Sequence, residues 1–148
     1  VIKIPSDEDI LKVFRNPVVY DAVSSDSAPD IEDWQIDRSG NYVGYYVGDE
    51  IAGIWVYHDE SDGCHIHIQI LPEYRKEYAK EAGKLFLDYT WECTDKDVLI
   101  AEIPELYLNV VKFTRSFGFR FSGIKESAYR KSGTDWDVFQ LQLRRGAA

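Results

Sequence analysis

Residues 63–91 read GCHIHIQILPEYRKEYAKEAGKLFLDYTW. Ile66, Ile68 and Ile70 alternate with His65, His67 and Gln69, the period-2 pattern of a half-buried strand. Pro72 stops the alternation, and Glu73 places negative charge where a helix begins. Tyr78, Ala82, Leu85, Phe86 and Tyr89 then recur at helical spacing, which predicts an amphipathic helix over 73–91. A strand feeding straight into a helix exposes unpaired backbone N–H groups at the junction, an arrangement that attracts phosphate.

Outward from this stretch, the 148 residues suit one domain spanning 1–148 with a single core. Hydrophobic residues make up 45% and charged residues 29%, as in ordinary globular proteins. No apolar run approaches the ~20 residues of a membrane span, and no secretory signal pattern is present, so a cytoplasmic address is expected. The start at Val1 and the absence of Met imply that an initiator methionine is missing. The net charge of −9 argues against nucleic acid as a partner and suits a cationic substrate or a basic protein. Cys64 and Cys93 do not make a disulfide framework and read as buried thiols.

Before the central stretch, 1–4 reads as a strand. Ser6 reads as the N-cap of a helix with Asp7, Glu8 and Asp9 in its first turn. Asn16-Pro17 breaks that helix, a short second one covers 18–23, and 24–33 is a polar loop. Segments 42–47, 51–58 and 64–71 form an antiparallel meander with turns at 48–50 and 59–63. After it come an apolar strand at 98–103 and a helix from Pro104 to about Phe117, with Gly118 at its C-terminus. Strands at 119–132 and 136–143 follow. Strand, helix, strand around 73–91 implies a parallel pair joined by a right-handed crossover.

This order resembles the GNAT superfamily of N-acetyltransferases over nearly the whole chain. Three segments carry the resemblance: Ile51-Ala52-Gly53, Ile70-Leu71-Pro72-Glu73-Tyr74-Arg75, and Ser116-Phe117-Gly118-Phe119. It implies an α+β three-layer fold, with a mixed, mostly antiparallel sheet of about seven strands, a central parallel pair and about four helices. It also implies transfer of acetyl from acetyl-CoA to an amine acceptor, either a small molecule or a protein. In active members the strand before the long helix splays from its neighbour and pairs with the pantetheine arm, and the following loop holds the pyrophosphate. The cofactor-binding candidates are therefore Ile70, Leu71, Arg75, Lys76, Tyr78, Ala79, Lys80 and Asn109. Arg75 fits the family's loop pattern. Tyr78 and Lys80 stand where small residues are usual, so the Tyr78 ring is expected to compete with phosphate for space.

The later helix places Thr114 at the family's usual tyrosine acid and Tyr107 at its usual asparagine, so Tyr107 is the candidate acid. His67 is the candidate general base, on the strand's polar face toward the splayed end. A zinc site from His65, His67 and His58 lacks a fourth ligand, so no metal is expected. The stretch 110–118 also resembles divergent phage-encoded GNAT-like proteins. That resemblance implies an alternative: a catalytically inactive virion or head-assembly protein, located in the virion or host cytoplasm, whose exposed Trp34, Tyr45 or Trp136 marks a protein interface.

Overall fold

The computed structural model describes residues 1–147. Its strands are β1 (Ile2–Lys3), β2 (Asn41–Val47), β3 (Glu50–Glu60), β4 (Gly63–Ile70), β5 (Val98–Pro104), β6 (Arg120–Lys131) and β7 (Thr134–Arg144). Its helices are α1 (Asp7–Phe14), α2 (Pro17–Val23), α3 (Pro72–Cys93) and α4 (Leu108–Arg115), with a 3₁₀ turn at Ile31–Asp33 and another at Glu105–Tyr107. One sheet runs in the order β1-β2-β3-β4-β5-β7-β6. Every neighbouring pair is antiparallel except β4 and β5.

The expected fold class holds. The alternation on β4 divides the sheet's faces as the sequence requires: Cys64, Ile66 and Ile70 join a core with Ala82 and Phe86 of α3 and Leu99, Ala101 and Ile103 of β5. On the other face, Ile10, Val13 and Phe14 of α1 pack on Ile51, Ile54 and Val56. Phe86 lies 4.8 Å from the Trp55 ring and 5.7 Å from Tyr57. Four residues on, the Thr90 hydroxyl donates to the Phe86 carbonyl at 2.8 Å and bonds the Tyr57 hydroxyl at 2.6 Å. A buried polar pair is thereby satisfied inside an apolar layer.

Local chemistry sets the other boundaries. Ser6 caps α1 through the Asp9 amide, and Asn16 caps α2 through Val18 and Val19, with Pro17 in the first turn where it loses no hydrogen bond. The expected helix from Pro104 to Phe117 is two pieces, a 3₁₀ turn and then α4, which ends at Arg115; Gly118 follows at φ 98°. Two further expectations are corrected. Cys64 is buried but Cys93 is exposed. Tyr45 is 2% exposed, sunk in the core beneath α3, and marks no surface.

Candidate functional site

β4 and β5 pair at only two positions, Cys64 with Leu99 and His65 with Ile100. Beyond them β4 continues to Ile70 and β5 to Pro104 without meeting, while β5 stays paired to β7 through Pro104 and Val138. The strands thus part at His65 and open toward their C-terminal ends. In the opening, the backbone of residues 66–70 has a hydrogen-bonding edge free on the β5 side. An extended ligand can add to such an edge as a strand does.

The open end is held by specific contacts. β3 carries one extra residue against β2: Tyr45 pairs with Gly53 and Tyr46 with Ile51, leaving Ala52 as a bulge. The Ala52 carbonyl accepts the Leu71 amide at 2.8 Å, at the junction between β4 and α3. A Cβ on Gly53 would come within 2.6 Å of Ile70 Cδ1, so glycine lets β3 close on the end of β4. The Arg75 Nε donates to the Ile70 carbonyl at 2.8 Å and pins the last strand residue from the helix side. Ile70 and Leu71 are buried here.

The implied loop over 75–80 is corrected. α3 starts at Pro72, so Arg75, Lys76, Tyr78, Ala79 and Lys80 all lie within the helix. From the second turn onward helical amides are spent on carbonyls four residues back, and no amide cradle exists over these residues. Tyr78 does not fill the opening. Its ring packs 6.3 Å from Tyr45 on β2 and 5.9 Å from Tyr74, on the side of β4 away from β5. Burial, followed by the hydrogen bond to Glu81, pushes the Tyr45 hydroxyl up to about 12. Ala79 is half-buried; Lys76 and Lys80 are exposed and, with Lys84, form one i, i+4 row. Lys80 and Lys84 line a cleft between α3 and the end of α4, with Leu87, Trp91, Ser116 and Phe117.

His65 and His67 share the β4 face opposite α3, and His58 stands across from His65 on β3. The rings of His58 and His67 lie 5.9 Å apart, edge to face. His67 keeps much of its surface in solvent, yet desolvation by its neighbours lowers its pKa, and His58 and His65 add to the effect. It therefore holds a free ring lone pair at neutral pH. His65 is buried and turned to carboxylates on both sides: Nε2 lies 2.8 Å from Asp62 Oδ1 and 3.0 Å from Glu60 Oε2, and Nδ1 lies 3.0 Å from Glu102 Oε1. Glu102 also pairs with Lys125 at 2.6 Å, which raises the Lys125 pKa. Sequence reasoning missed Glu102. Its signal is the alternation of β5, where Leu99, Ala101 and Ile103 enter the α3-side core and Glu102 does not.

The remaining candidates are scattered along the β5–α4 connection. Tyr107 is half-buried in the 3₁₀ turn, beside Tyr129, whose hydroxyl donates to the Ser24 carbonyl at 2.8 Å. Asn109 is exposed in the first turn of α4. The Thr114 hydroxyl donates to the Val110 carbonyl at 2.8 Å, so it is committed to its own helix. On the face opposite α3, the segment after α2 is tied to the β6–β7 turn: Asp26 accepts the amides of Ser132 and Gly133, and Lys131 reaches the carbonyls of Asp21 and Ser24.

A splayed parallel pair with a helix springing from one arm is the architecture of acyl-CoA-dependent transferases. The sequence profile of the acetyltransferase (GNAT) domain matches residues 2–120, and the chain belongs to that family. Solved structures agree on the fold. A spermidine N-acetyltransferase from Vibrio cholerae, in complex with CoA and spermine, superposes with a TM-score of 0.82 at 13% identity, covering 99% of this chain and 96% of that one. A ribosomal-protein-alanine N-acetyltransferase from Brucella melitensis gives 0.74 at 17% identity, over 97% of this chain and 99% of that one. The ribosomal-protein-S18-alanine N-acetyltransferase of Escherichia coli gives 0.72 at 14%, over 100% and 95%. A sequence search of curated proteins finds no match. GNAT acetyltransferases use acetyl-CoA, in keeping with the expected cofactor.

Proposed function

We propose that this protein transfers an acetyl group from acetyl-CoA to an amine acceptor. The observation that carries the reading is the opening between β4 and β5, where residues 66–70 offer an unpaired strand edge. The edge fits a pantetheine arm. The diphosphate end departs from the amide-cradle pattern, because residues 75–80 are helical; the exposed ammonium groups of Lys76 and Lys80 are the donors available there. Arg75 acts on the strand end it pins, Tyr78 and Ala79 shape the helix face, and Asn109 lies exposed in the first turn of α4.

Acetyl-CoA supplies an activated thioester when bound. His67, on the face covered by α1, takes the proton that an attacking ammonium group must lose, directly or through water. Tyr107 is the group on the β5–α4 connection with a hydroxyl to return a proton to the thiolate. The net charge of −9 supports a cationic acceptor; spermidine and an alanine of a ribosomal protein are the acceptors named for two similar structures. The test is calorimetry with CoA and acetyl-CoA, followed by thiol release with polyamine and peptide amines. Saturable micromolar binding and amine-dependent thiol release are expected. No binding at about 1 mM ligand refutes the reading.

One observation favours the non-catalytic assembly reading. Leu106, Leu108 and Val110 around the start of α4, and Phe121 and Ile124 on β6, are exposed apolar side chains. A concentration-dependent oligomer or a co-purifying partner, together with absent CoA binding, would favour it.

A further inference from the structure

On the acetyl-transfer reading, on which this step rests, we propose that Glu102 is the seat for the acceptor's ammonium group. Lys125 holds that seat as a built-in competitor until an acceptor displaces it. Glu102 is then the residue that selects a cationic amine.

The last pair joining β4 to β5 is His65 with Ile100. Two residues further along each strand, about 6–7 Å beyond that pair, stand His67 and Glu102. Leu99, Ala101 and Ile103 enter the α3-side core, so Glu102 faces the other way, as His65 and His67 do. Glu102 and His67 therefore flank the opening from its two arms, on one face. The Glu102 charge reaches the His67 ring, where it opposes the fall in pKa that burial causes.

A primary ammonium already occupies this place. Lys125 Nζ lies 2.6 Å from Glu102 Oε2, while His65 Nδ1 lies 3.0 Å from Oε1. One carboxylate oxygen thus meets the neighbouring strand, and the other receives a lysine from two strands away, on the sheet edge. The two partners differ in freedom. The Glu102 side chain is 23% exposed, on a central strand, whereas that of Lys125 is 55% exposed and reaches across β7 on a long stem. Exposed ion pairs of this kind are weak. An incoming ammonium remakes the same contact, so exchange costs the seat little and the acceptor's other contacts decide it. Glu60 and Asp62 approach His65 from the β3–β4 turn. Three carboxylates against one ammonium give this part of the face a negative potential, which draws a cationic acceptor.

Ligand-observed NMR titration with putrescine, a short diamine, tests the seat without turnover. Saturable binding below about 10 mM is expected. Glu102→Gln, which keeps the shape and removes the charge, should weaken it at least about tenfold. Lys125→Ala, on the exposed edge strand, should strengthen it roughly two- to fivefold by removing the competitor. A role confined to stabilising the fold predicts shifts of one sign, because either variant breaks the same ion pair. Lys112→Ala removes an exposed positive charge from α4 and controls for net charge; it should leave the affinity unchanged. CoA affinity should be the same in all three variants. Absent CoA binding in the wild type refutes the enzyme reading, whereas the seat itself is judged by the opposite signs. The proposal is overturned if putrescine shows no saturable binding up to about 10 mM. It is equally overturned if Glu102→Gln and Lys125→Ala shift the affinity in one direction, if either leaves it unchanged, or if Lys112→Ala strengthens it as much as Lys125→Ala.

Discussion

The helical state of residues 75–80 makes a demand on cofactor binding that the double variant Lys76→Ala/Lys80→Ala can test. With the amides of these residues inside α3, phosphate recognition must fall to side chains. Lys76 and Lys80 stand one helical turn apart, about 6 Å along the axis, and both are exposed. An ammonium and a phosphate about 4 Å apart in water attract by about 1 kcal/mol, somewhat less at physiological salt. Removing both lysines should therefore cost about 1–2 kcal/mol, a roughly 5–30-fold rise in Kd for CoA. Calorimetry at about 0.05 M and 0.5 M salt reads the second signature: wild-type affinity falls with salt, whereas the variant's changes little. Lys3→Ala, on the edge strand β1, serves as the control. If the double variant binds CoA within about twofold of wild type and keeps the same salt slope, the lysines do not hold the phosphates.

Further predictions concern the base, the thiols and the α3 anchor. His67→Gln should lower kcat/KM by about 10²–10⁴ and remove the acid limb of its pH profile. Because the folded-state pKa of His67 is lowered, the unfolded chain binds the extra proton first. Wild-type stability should thus fall as pH drops below about 6.5, and urea melts of His67→Gln should show a shallower slope in that window. Burial pushes the Cys64 thiol up to about 11 while Cys93 is exposed, so a thiol reagent near pH 8 should label Cys93 fast and Cys64 only on unfolding. Thr90→Val strands the Tyr57 hydroxyl in the core and should cost about 1–3 kcal/mol by urea denaturation, with Tyr57→Phe restoring part of the loss in the double variant. Equal stability of wild type and Thr90→Val would mean the pair contributes nothing.

The order of elements was legible because periodicity records which face is buried; β6, exposed along nearly its whole length, is the exception. β4 shows this best: its three isoleucines go to the α3 side and its histidines to the other. The same periodicity already contradicted the loop drawn by resemblance. Tyr74, Tyr78, Ala82 and Phe86 make one continuous stripe at four-residue spacing, and that stripe carries the helix back to Pro72. The direction of the Tyr78 ring was not legible, since it depends on Tyr45, more than thirty residues earlier and two strands away. Glu102 was hidden differently. One acid in an apolar strand reads as an exception until the fold brings His65 and Lys125 to it from other strands. Tyr107 and Thr114 show the limit of counting back from Gly118: the helix there is broken into a 3₁₀ turn and α4, so a fixed offset does not place a hydroxyl on a chosen face.

The strand order also bears on how the chain comes together during synthesis. β5 is central in the sheet, yet it is held to β4 at two positions and to β7 at seven. β7 is made after every strand it joins, and it is the sole strand neighbour of β6 among the described residues. At ribosomal rates of about 5–20 residues per second, the forty residues from Pro104 to Arg144 take roughly 2–8 s. For that interval the middle of the sheet is an open edge. The β6–β7 hairpin supplies the strand that closes this edge, and the same hairpin carries Ser132 and Gly133 to Asp26 and Lys125 to Glu102. The splayed strands and the wall facing them therefore depend on the same hairpin, the last part of the sheet to be synthesised.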